Sequence, residues 1–466
     1  MGNEENSAFR DKVSTIDDKG KRVWIYPKKP KGTFYKKRTY LSYFLLALLF
    51  VGPFIKIGGE PLLLLDVINR KFVILGQVFW PEDFHLFVFA MLTFVISVVL
   101  FTVIYGRLFC GWVCPQTIFM EMLFRKIEYA IEGDAPQQKL LDKKKGTKEY
   151  ILKKTLKHTI FYLISFYIAN TFLMYIIGYE ELFKIITSPP TEHLTGFIAI
   201  IVFSFVFYAV FARFREQVCI AVCPYGRLQG VMLDKNSLVV AYDYIRGEKR
   251  AKIKKGEDRK ANNKGDCIDC EQCVKVCPTG IDIRNGTQME CVGCTACIDA
   301  CDAMMDNVGF PRGLIKYTSE KNIQERKEGF RATTRVKAYT FVLMLLIATF
   351  FILLFYRSDV ETIIVRTPGL LPQRVQNDSI SNLYNFKLVN KSKGEKQIQF
   401  KLGEEVKGKI RFVGKKPVLK EKELLQGSFF ITLPKSEING YKLKLTIDVY
   451  DKDKKIETVK TTFLGG

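Results

Sequence analysis

The chain has 466 residues, 48% of them hydrophobic, with 71 Lys and Arg against 48 Asp and Glu, for a net charge of +23. Its 37 Phe and 21 Tyr exclude a wholly disordered chain. Its 12 Cys, all between Cys110 and Cys301, are too sparse and too clustered for a disulfide scaffold. Long uncharged runs exclude an ordinary soluble protein, and no nucleic-acid-binding motif accompanies the positive charge.

Residues 1–38 are polar and basic, carry no cleavage pattern, and read as a cytoplasmic tail rather than a signal peptide. Five apolar stretches then meet the length a bilayer requires: 39–55, 84–105, 159–179, 194–212 and 338–356. Residues 61–80 are apolar too, but Asp66, Arg70 and Lys71 interrupt them, so an interfacial or re-entrant segment is expected. Lys and Arg number 43 in 1–38, 106–154 and 213–335 together, against 4 in the intervening loops. By the positive-inside rule the first group is cytoplasmic, and the fifth helix exports the C-terminal tail. The same charge favours adhesion to anionic lipid.

Two CxxxCP elements follow the second and fourth apolar runs: Cys110 to Pro115, and Cys219 to Pro224. Each comes after a pair of apolar helices, so 39–115 and 159–224 read as two copies of one unit. Pro favours the first helical position, which places Cys114 and Cys223 at helix N-termini where the dipole favours thiolate. Arg107, Arg213 and Arg215 would push the same way. After Pro115, Ile118, Phe119, Met122, Leu123, Ile127 and Ile131 recur at helical spacing, suggesting a helix flat on the membrane surface. The four thiols admit three readings: buried structural Cys, a redox dithiol, or a metal site. Soft thiolates would select Cu(I), zinc or iron–sulfur there. His85, His158 and His193 sit at the ends of crossings and read first as interfacial anchors. The basic runs 143–145 and 246–260 read as solvated or lipid-facing.

The strongest signal is Cys267-x2-Cys270-x2-Cys273-x3-Cys277-Pro278, repeated as Cys291-x2-Cys294-x2-Cys297-x3-Cys301. This is the two-cluster bacterial ferredoxin spacing, in which the fourth Cys of each run serves the other cluster. It assigns Cys267, Cys270, Cys273 and Cys301 to one 4Fe–4S cluster, and Cys291, Cys294, Cys297 and Cys277 to the other. The alternative is a pair of zinc sites. From about Asn377 onward, short alternating stretches (384–390, 396–402, 408–413, 427–434, 441–451, 457–464), divided by turns such as Lys393-Gly394 and Asn439-Gly440, predict a small sandwich of immunoglobulin type.

The order of CGWVCPQ, EGD (132–134), REQVC-x3-CPYGRLQ, the doubled ferredoxin run and PRGLI (311–315) resembles the CcoG family, also called FixG, the cytochrome c oxidase accessory proteins. NapH and NosR electron-transfer proteins share the layout but look less similar in the tail. Asp302, where the second run lacks the Pro of Cys-Pro, is a departure that removes no ligand. The resemblance implies a membrane cupric reductase supplying Cu(I) for assembly of a cbb-type haem-copper oxidase. Its cysteines carry over onto the 12 positions above.

The expected architecture is a multi-domain membrane protein. It comprises a basic tail (1–38), a four-helix membrane region with the CxxxCP motifs (39–235), a cytoplasmic two-cluster ferredoxin domain (236–336), a fifth transmembrane helix (337–357) and an exported immunoglobulin-like β-sandwich (358–466). The expected setting is a bacterial inner membrane. Expected cofactors are two 4Fe–4S clusters, with copper as transient ligand or substrate at Cys110, Cys114, Cys219 and Cys223. Expected partners are membrane lipid, copper ions, oxidase assembly factors or a copper transporter, and an unidentified cytoplasmic electron donor. The alternatives are a quinol-linked electron-transfer subunit and a non-catalytic copper-handing scaffold.

Overall fold

The structure is a computed structural model. It describes residues 15–16, 19, 21–67, 70–254, 257–259, 261–327, 329–375, 378–392, 394–403, 406–414, 417–421, 423–438 and 440–465, with Glu82 in its backbone only. Residues 1–14 of the basic tail and the turn residues Lys393 and Asn439 therefore lie outside the described residues. Contacts divide the chain into two units, Met1–Asn69 with Phe89–Ala348, and Arg70–Val88 with Thr349–Gly466.

Among the described residues, four helices are long and apolar enough to cross a bilayer: Phe84–Tyr105, Lys148–Ile177, Leu194–Phe214 and Thr334–Phe355. Their apolar faces are largely open, with Phe94, Phe205 and Phe341 more than half exposed. Apolar area of that extent in a folded chain needs lipid to cover it. The expected first crossing, 39–55, forms most of a helix, Thr33–Val51. Lys36, Lys37 and Arg38 occupy its first turns, so its apolar part alone is shorter than the other four.

In the first unit, the helix start after Pro115 departs from expectation. Its apolar face packs against neighbouring helices rather than staying open to lipid. Ile118, Phe119, Met120, Met122 and Phe124 are all buried, packing with Leu46, Phe161, Ile168 and Phe211. The physical reason is a π-helical stretch, Ile118–Phe124, which rotates the register and drives neighbouring apolar residues into one core. Leu63–Asp66 is a short strand rather than a re-entrant run. The ferredoxin region is built on a two-stranded antiparallel ladder, Val239–Tyr242 against Ile315–Thr318, with Val240, Ile283, Ile298, Met305 and Ile315 forming its core.

In the second unit, Lys71–Ile74 and Gln77–Phe79 form a hairpin. Leu75 (φ 51°) and Gly76 (φ 75°) supply the left-handed pair that a tight two-residue turn requires. The tail is a β-sandwich. One sheet runs in the order Lys409–Phe412, Leu424–Pro434, Ser379–Asn390, Val360–Arg366, with Gln373–Val375 also on Ser379–Asn390. The other runs Val418–Leu419, Lys396–Leu402, Lys442–Asp451, Lys454–Leu464. Inward residues alternate to form a core around Tyr384, Phe386, Phe400, Phe429 and Ile447. Asp83, 2% exposed, receives Arg357 at 2.6 Å and Lys391 at 2.6 Å, tying the segment before Phe84 to the sandwich.

Candidate iron–sulfur and thiol centres

Both ferredoxin runs fold by the same device. The second and fourth residues after the first Cys are left-handed in each: Asp269 (φ 54°) and Glu271 (φ 57°), then Gly293 (φ 66°) and Thr295 (φ 63°). Left-handed backbone is uncommon outside glycine. Here it curls each loop tightly enough for its first thiols to share one side. The third Cys of each run then joins a helix, Cys273 in Gln272–Lys275 and Cys297 in Ala296–Val308.

The thiol of Cys301 lies within electrostatic reach of Cys273, Cys267 and Cys270. Cys277 lies within reach of Cys291, Cys294 and Cys297. Cys297 is also within reach of Cys273, so the two sets of thiols lie side by side. An internal void is lined by Cys273, Cys277, Cys291, Cys294 and Cys297. Burial pushes the thiols up, Cys291 to about 11 and Cys294, Cys273 and Cys301 to about 12. An uncompensated thiolate is disfavoured there, and a bound cationic iron core would compensate it. Backbone amides of Thr279, Gly280 and Ile281 and the Thr279 hydroxyl, at 3.3 Å, surround the Cys277 sulfur. Donors of that kind tune a cluster's potential.

The four CxxxCP thiols also converge. Cys219 is within electrostatic reach of Cys114, Cys110 and Cys223, and Cys110 of Cys114 and Cys223. Cys114 caps Pro115–Thr117 and Cys223 caps Pro224–Met232. Burial pushes Cys219 up to about 12 and Cys110 up to about 11. Two further π-helical stretches lie here: Val210–Phe214 precedes the second pair and Val218–Val222 contains Cys219. Such bulges gather at functional sites. Among the described residues, no three Cys, His or acidic side chains stand close enough to chelate a single ion. Thiolate bonds near 2.3 Å would require the quartet to tighten. Five of the eight ferredoxin thiols line a void, and the doubled spacing of the eight fits cubane clusters, whose larger core needs a wider set of sulfurs than a single ion does.

The CxxxCP loop presses directly on a ferredoxin loop. A methyl group on Gly111 would lie 2.7 Å from the carbonyl oxygens of Gly293 and Val292 and 2.8 Å from the Cys294 nitrogen. Arg38 Nε donates to the Gly111 carbonyl at 2.6 Å. Arg107 Nη1 donates to the Met289 carbonyl and Nη2 to the Gly226 carbonyl at 2.8 Å, bridging ferredoxin loop and second CxxxCP helix. Gln229, fully buried, sets its amide 3.3 Å from the Cys110 sulfur. Gln229, Arg38 and Gly111 were not singled out from sequence. Gly111 and Gln229 do fall within the quoted CGWVCPQ and CPYGRLQ motifs.

Of the three arginines expected near the thiols, Arg107 lies within electrostatic reach of Cys291 and then of Cys110. Arg215 instead grips Glu128 through two bonds of 3.0 and 2.8 Å. The Arg213 carbonyl accepts from Arg22. Glu128 also meets Lys157 at 3.3 Å, and Glu132 of the EGD motif meets Lys157 at 2.8 Å and Lys154 at 2.9 Å. Burial alone would raise the Glu128 carboxyl, but Arg215 and Lys157 hold it down to about 2. This network fixes the backbone that leads into Cys219. His158 Nδ1 bonds the Tyr208 hydroxyl at 2.9 Å, a helix-to-helix tie away from the thiols.

A membrane-embedded chain with a doubled cluster-binding fold and a thiol quartet pressed against it is an iron–sulfur electron-transfer protein. Its segments match a 4Fe-4S binding domain (residues 87–148), a 4Fe-4S dicluster domain (214–320) and the IG-like fold at the C-terminus of FixG (350–466). It is 33% identical to protein RdxB of Cereibacter sphaeroides over 80% of each chain, and 32% identical to RdxA of that organism over the same shares. It is 34% identical to the nitrogen fixation protein FixG of Rhizobium meliloti over 64% of this chain and 58% of that one. The chain belongs to the FixG (CcoG) family.

Proposed function

We propose that the chain is a cupric reductase. Electrons from a cytoplasmic donor protein would enter through the ferredoxin region and meet Cu(II) at Cys110, Cys114, Cys219 and Cys223. Cys267, Cys270, Cys273 and Cys301 would hold one cluster, and Cys277, Cys291, Cys294 and Cys297 the other. When bound, a 4Fe–4S cluster stores and passes one electron. Cu(II) taking up one electron leaves as Cu(I), which thiolates favour. The single observation that carries this reading is the close approach of Gly111, next to Cys110, to Gly293 and Val292, which leaves no space for even a methyl group between the first CxxxCP loop and the ferredoxin loop at that point. Assembly of a cbb-type oxidase would be the use of the Cu(I), in a bacterial inner membrane. The pairing of Asp83 with Arg357 and Lys391 supports an arrangement in which the 71–83 segment and the sandwich share the exported side. The test is Cu(II) reduction by the reduced protein, which Cys110→Ser and Cys219→Ser would abolish while the iron content stays intact.

One observation favours a second source of electrons. An apolar cavity of about 420 Å³ is lined by Leu45, Leu49, Phe119 and Tyr175, and by Val113 and Pro115 on either side of Cys114. It suits a lipid-soluble quinol, and cluster reduction by quinol in a membrane preparation would select that reading.

A further inference from the structure

We infer that the basic end of helix Thr33–Val51 holds an anionic phospholipid by its phosphate. A cavity of about 460 Å³ is lined by Lys29, Lys36 and Lys126 together with Tyr35, Tyr40 and Tyr43. No carboxylate lines it, and among the described residues none of these lysines has an ion-pair partner.

The arrangement is built rather than incidental. Lys126 comes from the helix after the first CxxxCP motif, and is half-buried. Its ammonium lies 3.4 Å from Thr39 Oγ1 and 3.3 Å from the Tyr43 hydroxyl. It also stands over the rings of Tyr43 at 4.7 Å and Tyr35 at 5.6 Å. Two aromatic faces and two hydroxyls thus fix one cation in the cavity wall, at the depth where the apolar stretch 39–55 begins. Lys36 and Lys29 approach from the other strand of chain. The nearby acids are already engaged: Glu121 by Arg125 at 2.9 Å, and Asp134 by the Lys29 backbone amide at 2.8 Å.

The chemistry that satisfies three lysines lining one cavity is a phosphate with acceptor oxygens. Tyr and Lys at the start of an apolar helix mark the headgroup level of a membrane. A phosphodiester tethered to acyl chains reaches that level from the lipid side, where Tyr40, Tyr43 and Phe44 stay exposed. Basic pockets beside crossings on the positive side of a membrane are sites for such headgroups. This inference rests on the membrane embedding and not on the copper reading.

The experiment uses the full-length protein with its clusters, in detergent, followed by native mass spectrometry after delipidation and titration with phosphatidylglycerol, phosphatidylcholine or inorganic phosphate. Lys29→Gln/Lys36→Gln/Lys126→Gln is compared with Lys143→Gln/Lys144→Gln/Lys145→Gln, which removes equal charge from an exposed turn outside the cavity. The visible cluster absorbance certifies folding of each. One phosphatidylglycerol should bind the wild-type protein at least about tenfold more tightly than phosphatidylcholine. That preference should vanish in the cavity variant and persist in the turn variant. Equal loss in both variants would reduce the effect to general surface charge and overturn the site. Binding of inorganic phosphate without preference for phosphatidylglycerol would overturn the lipid assignment. If the cavity variant fails to fold, inorganic phosphate competing with phosphatidylglycerol in the wild-type protein supports the site, and phosphatidylglycerol retained unchanged in phosphate overturns it.

Discussion

Removing the Glu128 carboxylate should loosen the thiol quartet before it touches the clusters. Glu128 is 2% exposed and takes both nitrogens of Arg215 at 3.0 and 2.8 Å. In Glu128→Ala, Arg215 stays buried with a 3.9 Å contact to Glu216 and the face of the Trp24 ring at 4.8 Å left to balance it, whereas Lys157 keeps Glu132 at 2.8 Å. A stranded buried charge costs about 3–5 kcal/mol. Because Arg215 lies four residues before Cys219, the disturbance enters the second CxxxCP loop first. Chemical denaturation in detergent would read the stability loss, and alkylation of Cys219 and Cys223 by a maleimide would read local opening. Glu128→Met with Arg215→Met should cost less than Glu128→Ala, since an apolar replacement of a buried pair strands nothing. If Glu128→Ala stays within about 0.5 kcal/mol of wild type, as an ordinary surface change would, the network is not what holds the loop.

The same carboxylate gives a pH dependence. Its folded value, about 2, lies below the ordinary 4.5, so its stabilisation is complete above 4.5 and is lost as pH falls through about 2. At 1.36 kcal/mol per pH unit that is about 3 kcal/mol, and Glu128→Gln should flatten this part of an acid denaturation curve. Gly111→Ala would press a methyl group to 2.7 Å from two carbonyl oxygens. It should cost about 1–3 kcal/mol and slow electron delivery to the quartet with both clusters retained, seen as slow cluster reoxidation by Cu(II). Cys277→Ser and Cys301→Ser should each remove about half of the iron. Cys277→Ser should specifically lose the cluster whose other thiols sit at Cys291, Cys294 and Cys297, resolved by electron paramagnetic resonance. Tyr384→Phe removes a hydroxyl that donates to the Thr462 carbonyl at 2.9 Å in the sandwich core, for about 1 kcal/mol in thermal unfolding.

Much of the fold was legible where the sequence carries a period. All six alternating stretches of the tail became strands, because each has one face in the core and one in water. Val360–Arg366 follows Thr334–Phe355 after four residues, ahead of the stretch from about Asn377 in which the alternation is regular. Residues 61–80 looked interfacial by composition, yet the Leu75-Gly76 turn folds part of them into a hairpin. The helix after Pro115 was misjudged for a different reason. Its apolar spacing was read at 3.6 residues per turn, and a π stretch changes which residues share a face. The doubled CxxxCP motif points to a common thiol centre; the four thiols lie within electrostatic reach of one another, but among the described residues no three stand at chelating distance. What sequence could not show is its surroundings. Arg215 looked available to a thiolate but is held by Glu128, 87 positions away, and Gln229 reaches Cys110 from 119 positions away. Partners so distant in the chain leave no local signal.

The most direct test of the proposed activity is anaerobic. The protein is purified in detergent, its clusters are reduced, the reductant is removed, and Cu(II) is added while cluster absorbance and Cu(I) are followed together. The account requires clusters to reoxidise as Cu(I) appears, one electron for each copper, and requires Cys110→Ser to stop both with its iron content unchanged. Clusters that stay reduced in the presence of Cu(II), or a Cys110→Ser variant that turns copper over normally, would contradict it.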